Sequence, residues 1–297
     1  MISQAVASAE AGNSAAGLAL ASPGHRMIVT PSRGPAVGGG FGAYRFVREL
    51  GPHAAGERWL ALDPRTGSSC TVYRLTAFRG RLAGRRALEA IAKMTSVRHA
   101  HLLPVHQVGI DALHTPCVVT DYTGHHDGLV TLAQLLQAKG GRLPIPEAAR
   151  AVGQITEACA AAHDAGLVHG PFTADDVLVD RFGQLWVELY GLMHLLRGPE
   201  GQNGTSAETE EARSLVALGR LLFLGRSDEF NRVEASRLGV PRRWASWLSR
   251  GTGCIPAFIS VDQALAALPT RPPPVLCPDR CCTWRDWVRR IGQALGQ

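Results

Sequence analysis

The stretch HGPFTADDVLVD, residues 169–180, holds side chains equipped for chemistry: His169, Thr173 and Asp176. Asp176 opens an apolar run that reads as a strand, and its carboxylate is of the kind that binds magnesium. Three other clusters invite a metal reading. Cys277, Cys281 and Cys282 stand in CPDRCC. Structural zinc takes four ligands, so three thiols without a nearby histidine make a poor site, and free thiols are the favoured reading. His125-His126-Asp127 and the trio His99, His101 and His106 carry ligand-type atoms, but both groups read as structural or solvent-facing. Asp176 alone is kept as a candidate metal ligand.

The elements that must position these residues follow from the pattern of apolar side chains. Residues 1–42 are rich in Ala, Gly and Ser without a sustained period, and read as a disordered N-terminal tail. From Tyr44, YRFVREL, ERWLALD and SCTVYRL alternate as strands should, separated by short turns. A helix follows over 81–98, with Leu82, Leu88, Ile91 and Val97 as its apolar positions, then two strands in LPVHQVG and PCVVTDY. Beyond residue 129 the period becomes helical. Val152, Ile155, Cys159 and Ala162 share one face of a long helix that has a proline near its start. Two short strands, DVLV and QLWVEL, precede a polar stretch at 198–210 and helices near 211–223, 241–249 and 260–268.

Composition narrows the class. The 297 residues, 45% hydrophobic, suffice for a sizeable core, and the net charge of +6 comes without a basic block, which speaks against dedicated nucleic-acid binding. Only Lys93 and Lys139 are lysines. Scattered cysteines (Cys70, Cys117, Cys159, Cys254) fit buried thiols in a reducing cytoplasm. No run approaches the roughly 20 apolar residues of a membrane span, and no signal peptide is evident.

Four segments in this order, YRFVRELGPHAAGERWLALD, VRHAHLLPVHQVG, AAHDAGLVHG and DDVLVD, resemble the eukaryotic-type Ser/Thr protein kinases found in bacteria. The resemblance spans roughly residues 44–268. It implies an α+β, two-lobed fold: a small antiparallel β lobe with one helix (43–122) and a larger, mainly helical lobe (123–270). A Pro-rich linker and amphipathic helix (271–297) would follow.

The same resemblance implies that the working parts are degenerate. The family's glycine-rich loop becomes GPHAAG: Gly51 and Gly56 remain, while Pro52 removes a donor, His53 replaces the central glycine and Arg58 replaces the valine that roofs the adenine. A plain β-turn is favoured there over a remodelled phosphate cradle. TVYR places Val72 and Arg74 in the vestigial nucleotide cleft, with Arg74 at the phosphate-gripping lysine, an exchange that is not conservative. The lysine's glutamate partner becomes Ala90, and Glu89 is one residue, about 100°, out of register. Pro171 stands at the catalytic aspartate, Thr173 at the following lysine and Asp176 at the magnesium-binding asparagine. Leu189 replaces the aspartate of Asp-Phe-Gly. Only about 16 residues separate Gly191 from Glu208, too few for a full activation segment, and the GPEG at 198–201 reads as chance. Ser214 falls near the aspartate that normally ties down the catalytic loop, so a loosened loop is expected. The scaffold persists in the apolar spine positions Met94, Val105, His169 and Tyr190, the gatekeeper Thr120, the hinge residues Asp121 and Tyr122, and Leu178 as the adenine floor.

These residues point to a pseudokinase: a protein-binding or regulatory module in the cytoplasm with no cofactor. Two readings remain beside it. One is a divergent Ser/Thr kinase that uses ATP and magnesium through Arg74 and Asp176; the other is a nucleotide sensor without transfer. The C-terminal TWRDWVRRIGQAL, with Trp284, Trp287 and Ile291 on one face and Arg289 and Arg290 off it, suits docking on its own lobe, on a partner, or on a membrane surface.

Overall fold

The structure is a computed structural model that describes residues 40–269 except 79, 125–127, 193 and 195–205. The C-terminal stripe of Trp284 and Trp287, the CPDRCC cysteines, His125-His126-Asp127 and GPEG lie outside the described residues.

Six antiparallel strands form the first lobe: β1 (Gly40–Phe41), β2 (Tyr44–His53), β3 (Gly56–Leu62), β4 (Ser69–Arg74), β5 (Val105–Ile110) and β6 (Pro116–Asp121), in the order β1-β2-β3-β4-β6-β5. One strand more than expected is present, because Gly40 and Phe41 pair with Arg45 and Tyr44. This pair falls within the stretch read from sequence as tail. Phe41 is fully buried and lies so close to Gly109 that a Cβ there would stand 2.6 Å from its ring. Alternation gives the sheet two faces. Ala61, Cys70, Val72, Cys117 and Val119 gather with Phe41 and Tyr44 on the outer face. Tyr73, Val108 and Val118 point inward to the main core, where α1 (Arg81–Met94) buries Ala87 and Ile91. Leu82, expected on that apolar face, is exposed.

The second lobe is built on α3 (Ile145–Asp164), which follows α2 (Leu132–Ala138) and buries a stripe of small side chains including Ala148, Ala151, Ala158 and Ala162. Small residues let neighbouring helices approach closely. Those neighbours are α4 (Ala207–Leu224) and α7 (Val261–Ala266), while α5 (Arg232–Arg237) and α6 (Arg242–Leu248) pack on α4. Ser206 caps α4 through the Thr209 N–H, and Gly225 closes it in a left-handed conformation. Trp247 locks α6 to α7 by donating its indole N–H to the Ala264 carbonyl. Among the described residues no helix is long and apolar enough to cross a membrane.

Between the lobes a two-stranded ribbon, β7 (Val177–Val179) with β8 (Leu185–Val187), lies along the connection from α1 to β5. Leu103 donates to the Val187 carbonyl at 2.9 Å and Val187 to that of His101 at 2.8 Å. The residue after β8, Glu188, thereby enters the cleft from a fixed strand end.

Candidate functional site

The roof of the cleft is the β2–β3 hairpin, paired to its tip: Pro52 opposes Glu57, and His53 opposes Gly56 across a two-residue turn of Ala54 and Ala55. It is a closed β-turn, not an open glycine loop. Ala55 is buried, its N–H donating to His53 Nδ1 and its carbonyl accepting from Ala77. Gly56 has φ 151°, and a Cβ on it would stand 2.1 Å from the Arg74 carbonyl oxygen. Packing therefore accounts for this glycine without any phosphate. Gly51 also has positive φ, 95°, but open space around its Cβ position. Gly56→Ala is expected to cost at least about 2 kcal/mol, because main chain cannot yield as a side chain can. Denaturant unfolding beside Gly51→Ala checks this: both share the φ strain, and only Gly56→Ala carries the clash.

The register of β4 differs from the sequence expectation by one residue. Tyr73, opposite Arg58 on β3, faces the cleft. Arg74 and Val72 face the other way: Arg74 pairs with Glu57 at 2.8 Å and Asp111 at 2.9 Å, and Val72 joins the outer cluster. Because strand side chains alternate, the slip exchanges the two faces. The expected cation at the phosphate position is replaced by a phenol. Glu89 pairs with Arg85 on the exposed side of α1, away from β4.

Tyr73 meets a buried ionic cluster centred on Glu188, which is 1% exposed. Arg58 donates to both oxygens of Glu188, at 3.1 and 3.4 Å, and to the Pro52 carbonyl at 2.6 Å. The Tyr73 hydroxyl donates to Glu188 at 2.6 Å, and His53 Nε2 lies 3.5 Å from the same carboxylate. Burial, with the Glu188 charge and hydrogen bond, pushes the Tyr73 hydroxyl well above its ordinary pKa, so it remains a donor. Three side chains of the first lobe thus converge on one carboxylate of the second, in the space between roof and floor.

His53 is held neutral there. Burial pulls its pKa down, Arg58 adds to this, and the charges of Glu188 and Asp176 oppose it. Its Nδ1 already accepts from Ala55, which puts the proton on Nε2, toward Glu188. A histidine whose folded pKa is depressed binds fewer protons folded than unfolded, so its contribution is lost as pH falls below about 6.5. Relative to His53→Gln, the wild-type chain is expected to lose stability between pH 7 and pH 5. Urea unfolding at both values measures the difference, and a constant or widening wild-type advantage contradicts a neutral His53.

On the floor side, the loop at 169–176 is pinned by Glu211 of α4, a residue the sequence did not single out. Its Oε2 accepts from the N–H groups of His169 (2.8 Å) and Gly170 (3.1 Å) and lies 3.2 Å from His163 Nε2. Its Oε1 accepts from the Tyr190 hydroxyl. Ser214 contributes as well, accepting from the Phe172 N–H at 3.3 Å. The expected loosening of this loop is therefore corrected: a glutamate one helical turn earlier than Ser214 anchors it. That i, i+3 spacing on one helix face was the available signal. Met94, Val105, His169 and Tyr190 are all buried, the last two with ring centroids 5.2 Å apart.

Asp176 Oδ2 closes a turn by accepting from the Thr173 N–H (2.7 Å) and hydroxyl (3.1 Å). Leu189 is buried with φ 42°, a left-handed conformation rare for a bulky side chain. Pro171 follows Gly170, whose φ is 76°. Thr120 is buried on the same sheet face as Tyr73, Leu178 is buried on β7, and exposed Asp121 pairs with His106 at 2.7 Å. Among the described residues no three His, Cys, Asp or Glu side chains gather to hold a metal ion. Cys117 and Cys159 are pushed up by burial and Cys70 is pushed up to about 11, which makes poor nucleophiles of these buried thiols.

Two lobes hinged at β6, with a strand-roofed cleft over a helix-pinned loop, define a protein-kinase domain. A family model for protein tyrosine and serine/threonine kinases matches residues 63–213, just over half of the chain, and the chain belongs to that family. Among solved structures it is similar to the Mycobacterium tuberculosis PknI kinase domain: 20% identity, 88% of this chain and 99% of that one covered, TM-score 0.57. A point mutant of that domain matches at 20% identity, over 80% and 98% of the two chains, with TM-score 0.60. At this identity the likeness carries the fold. A comparison with curated proteins returned no match.

Proposed function

We propose that this kinase-family chain is a pseudokinase, a regulatory or protein-binding module that neither holds nucleotide nor transfers phosphate. One observation carries the reading: Arg58, Tyr73 and His53 close on Glu188 in the space the family gives to ATP. For a nucleotide to enter, the Arg58–Glu188 pair must part, and each charge must find a new partner.

The chemistry lost on the floor supports the same reading. An acid–base group is typically worth about 10²–10⁴ in rate, and metal charge neutralisation several kcal/mol more. Pro171 and Leu189 supply neither function. Asp176 keeps a carboxylate, but one of its oxygens is committed to Thr173. The alternative of a divergent kinase relied on Arg74 for phosphate, and Arg74 is engaged by Glu57 and Asp111 on the opposite face of the sheet.

Incubation with magnesium and ATP labelled at the γ-phosphate tests the reading. No label is expected on the chain or on a general protein substrate. Incorporation that falls in Asp176→Ala overturns it.

A further inference from the structure

Away from the cleft, α4 and the segment 250–258 enclose a groove of about 490 Å³. Arg213, Arg220 and Arg250 line it together with Val216, Ile255 and Phe258, and no acidic side chain is among the described lining residues. Arg220 is 7% exposed. Its guanidinium is held by main-chain carbonyls only: Leu248 at 2.8 Å, Arg250 at 2.6 Å and Asp228 at 3.4 Å. These orient the cation without neutralising it. Burial pulls its pKa down, and the charge of Asp228 opposes this only in part. The Arg250 guanidinium lies 5.2 Å from the centroid of the Phe258 ring, and Arg213 is exposed at the rim. Neither makes an ion pair among the described residues.

Arg220 adds a fixed positive charge beside the two more accessible guanidinium groups, Arg213 and Arg250, so the groove favours an anionic ligand. Here three guanidinium groups surround an apolar floor, so the complementary ligand carries carboxylates and one apolar side chain. We propose that this groove is a docking site for an acidic segment of a partner protein, with carboxylates on Arg213 and Arg250 and an apolar residue against Ile255, Ala257 and Ala217. The apolar floor favours a peptide over a nucleic-acid strand, whose phosphates would leave it uncovered. The site is separate from the cleft and does not require that the cleft be inactive.

The test uses the full chain and fluorescent peptides: glutamates around a central phenylalanine, and the same peptide with lysines. The acidic peptide is expected to bind saturably, and less as salt is raised. Arg213→Glu with Arg250→Glu should weaken it at least about tenfold. The reversed double variant should also gain the lysine peptide, which the wild type ignores, a result that misfolding cannot produce. Arg213→Glu alone, at an exposed position, serves as a second variant with the same direction of effect. No binding of the acidic peptide, binding indifferent to both variants, or tighter binding of a single-stranded oligonucleotide overturns the proposal.

Discussion

Glu188→Ala is expected to be among the most destabilising single substitutions in the chain, costing about 3–5 kcal/mol because it leaves a buried charge uncompensated. In a domain of this size that corresponds to a fall in melting temperature of roughly 6–20 °C. Arg58 would keep only the Pro52 carbonyl, the Tyr73 hydroxyl would lose its acceptor, and His53 would lose the carboxylate beside its Nε2. The pair as a whole has a different worth. Replacing both members by apolar side chains removes the desolvation cost together with the attraction, so Arg58→Leu with Glu188→Leu should restore much of the loss. A double-mutant cycle by denaturant unfolding should therefore give a coupling of at least about 1 kcal/mol. Additive losses would mean that the two side chains do not depend on each other, contrary to the geometry.

Glu211→Ala should cost a similar amount, about 3–5 kcal/mol, and for a related reason. Four groups converge on this fully buried carboxylate: the His169 and Gly170 N–H groups, the Tyr190 hydroxyl and His163. Glu211→Gln keeps an acceptor of the same size and should cost less. It also separates charge from shape through His163. Burial pulls the His163 pKa down, but the hydrogen bond and charge of Glu211, aided by Glu208 and Asp262, more than offset this and hold it above the ordinary value. A histidine raised on folding contributes stability that is full below its unfolded pKa, near 6.5, and is lost as pH rises through the folded value. The deficit of Glu211→Gln should therefore be larger at pH 6 than at pH 8. A deficit independent of pH would assign Glu211 a purely steric role.

The fold was legible because four motifs in order, supported by strand alternation and helical period, admit few arrangements. That positions 171 and 189 carry no carboxylate could be read directly, because each is fixed by its place in a motif. The cleft was harder to read. In TVYR either Tyr73 or Arg74 can face inward on alternation alone, and only the pairing of Tyr73 opposite Arg58 decides. Glu188 gave no local sign of its role: a charge at a strand end usually meets water. The signal was distributed, with Arg58 at a roof position that ordinarily holds a valine and a carboxylate at the end of the strand beneath it. Glu211 was overlooked for a comparable reason. Ser214 occupies the familiar neighbourhood, whereas a glutamate one turn away spans the added distance with its longer side chain.

Whether the chain's own side chains already fill the cleft is decided by a thermal-shift titration with ATP, with and without magnesium. A ligand at 100 times its Kd would add about 2.7 kcal/mol of apparent stability. The wild-type melting temperature is expected not to rise in either series. A rise with ATP in either series would show that nucleotide enters the cleft, and one that needs magnesium and disappears in Asp176→Ala would also show a working metal site.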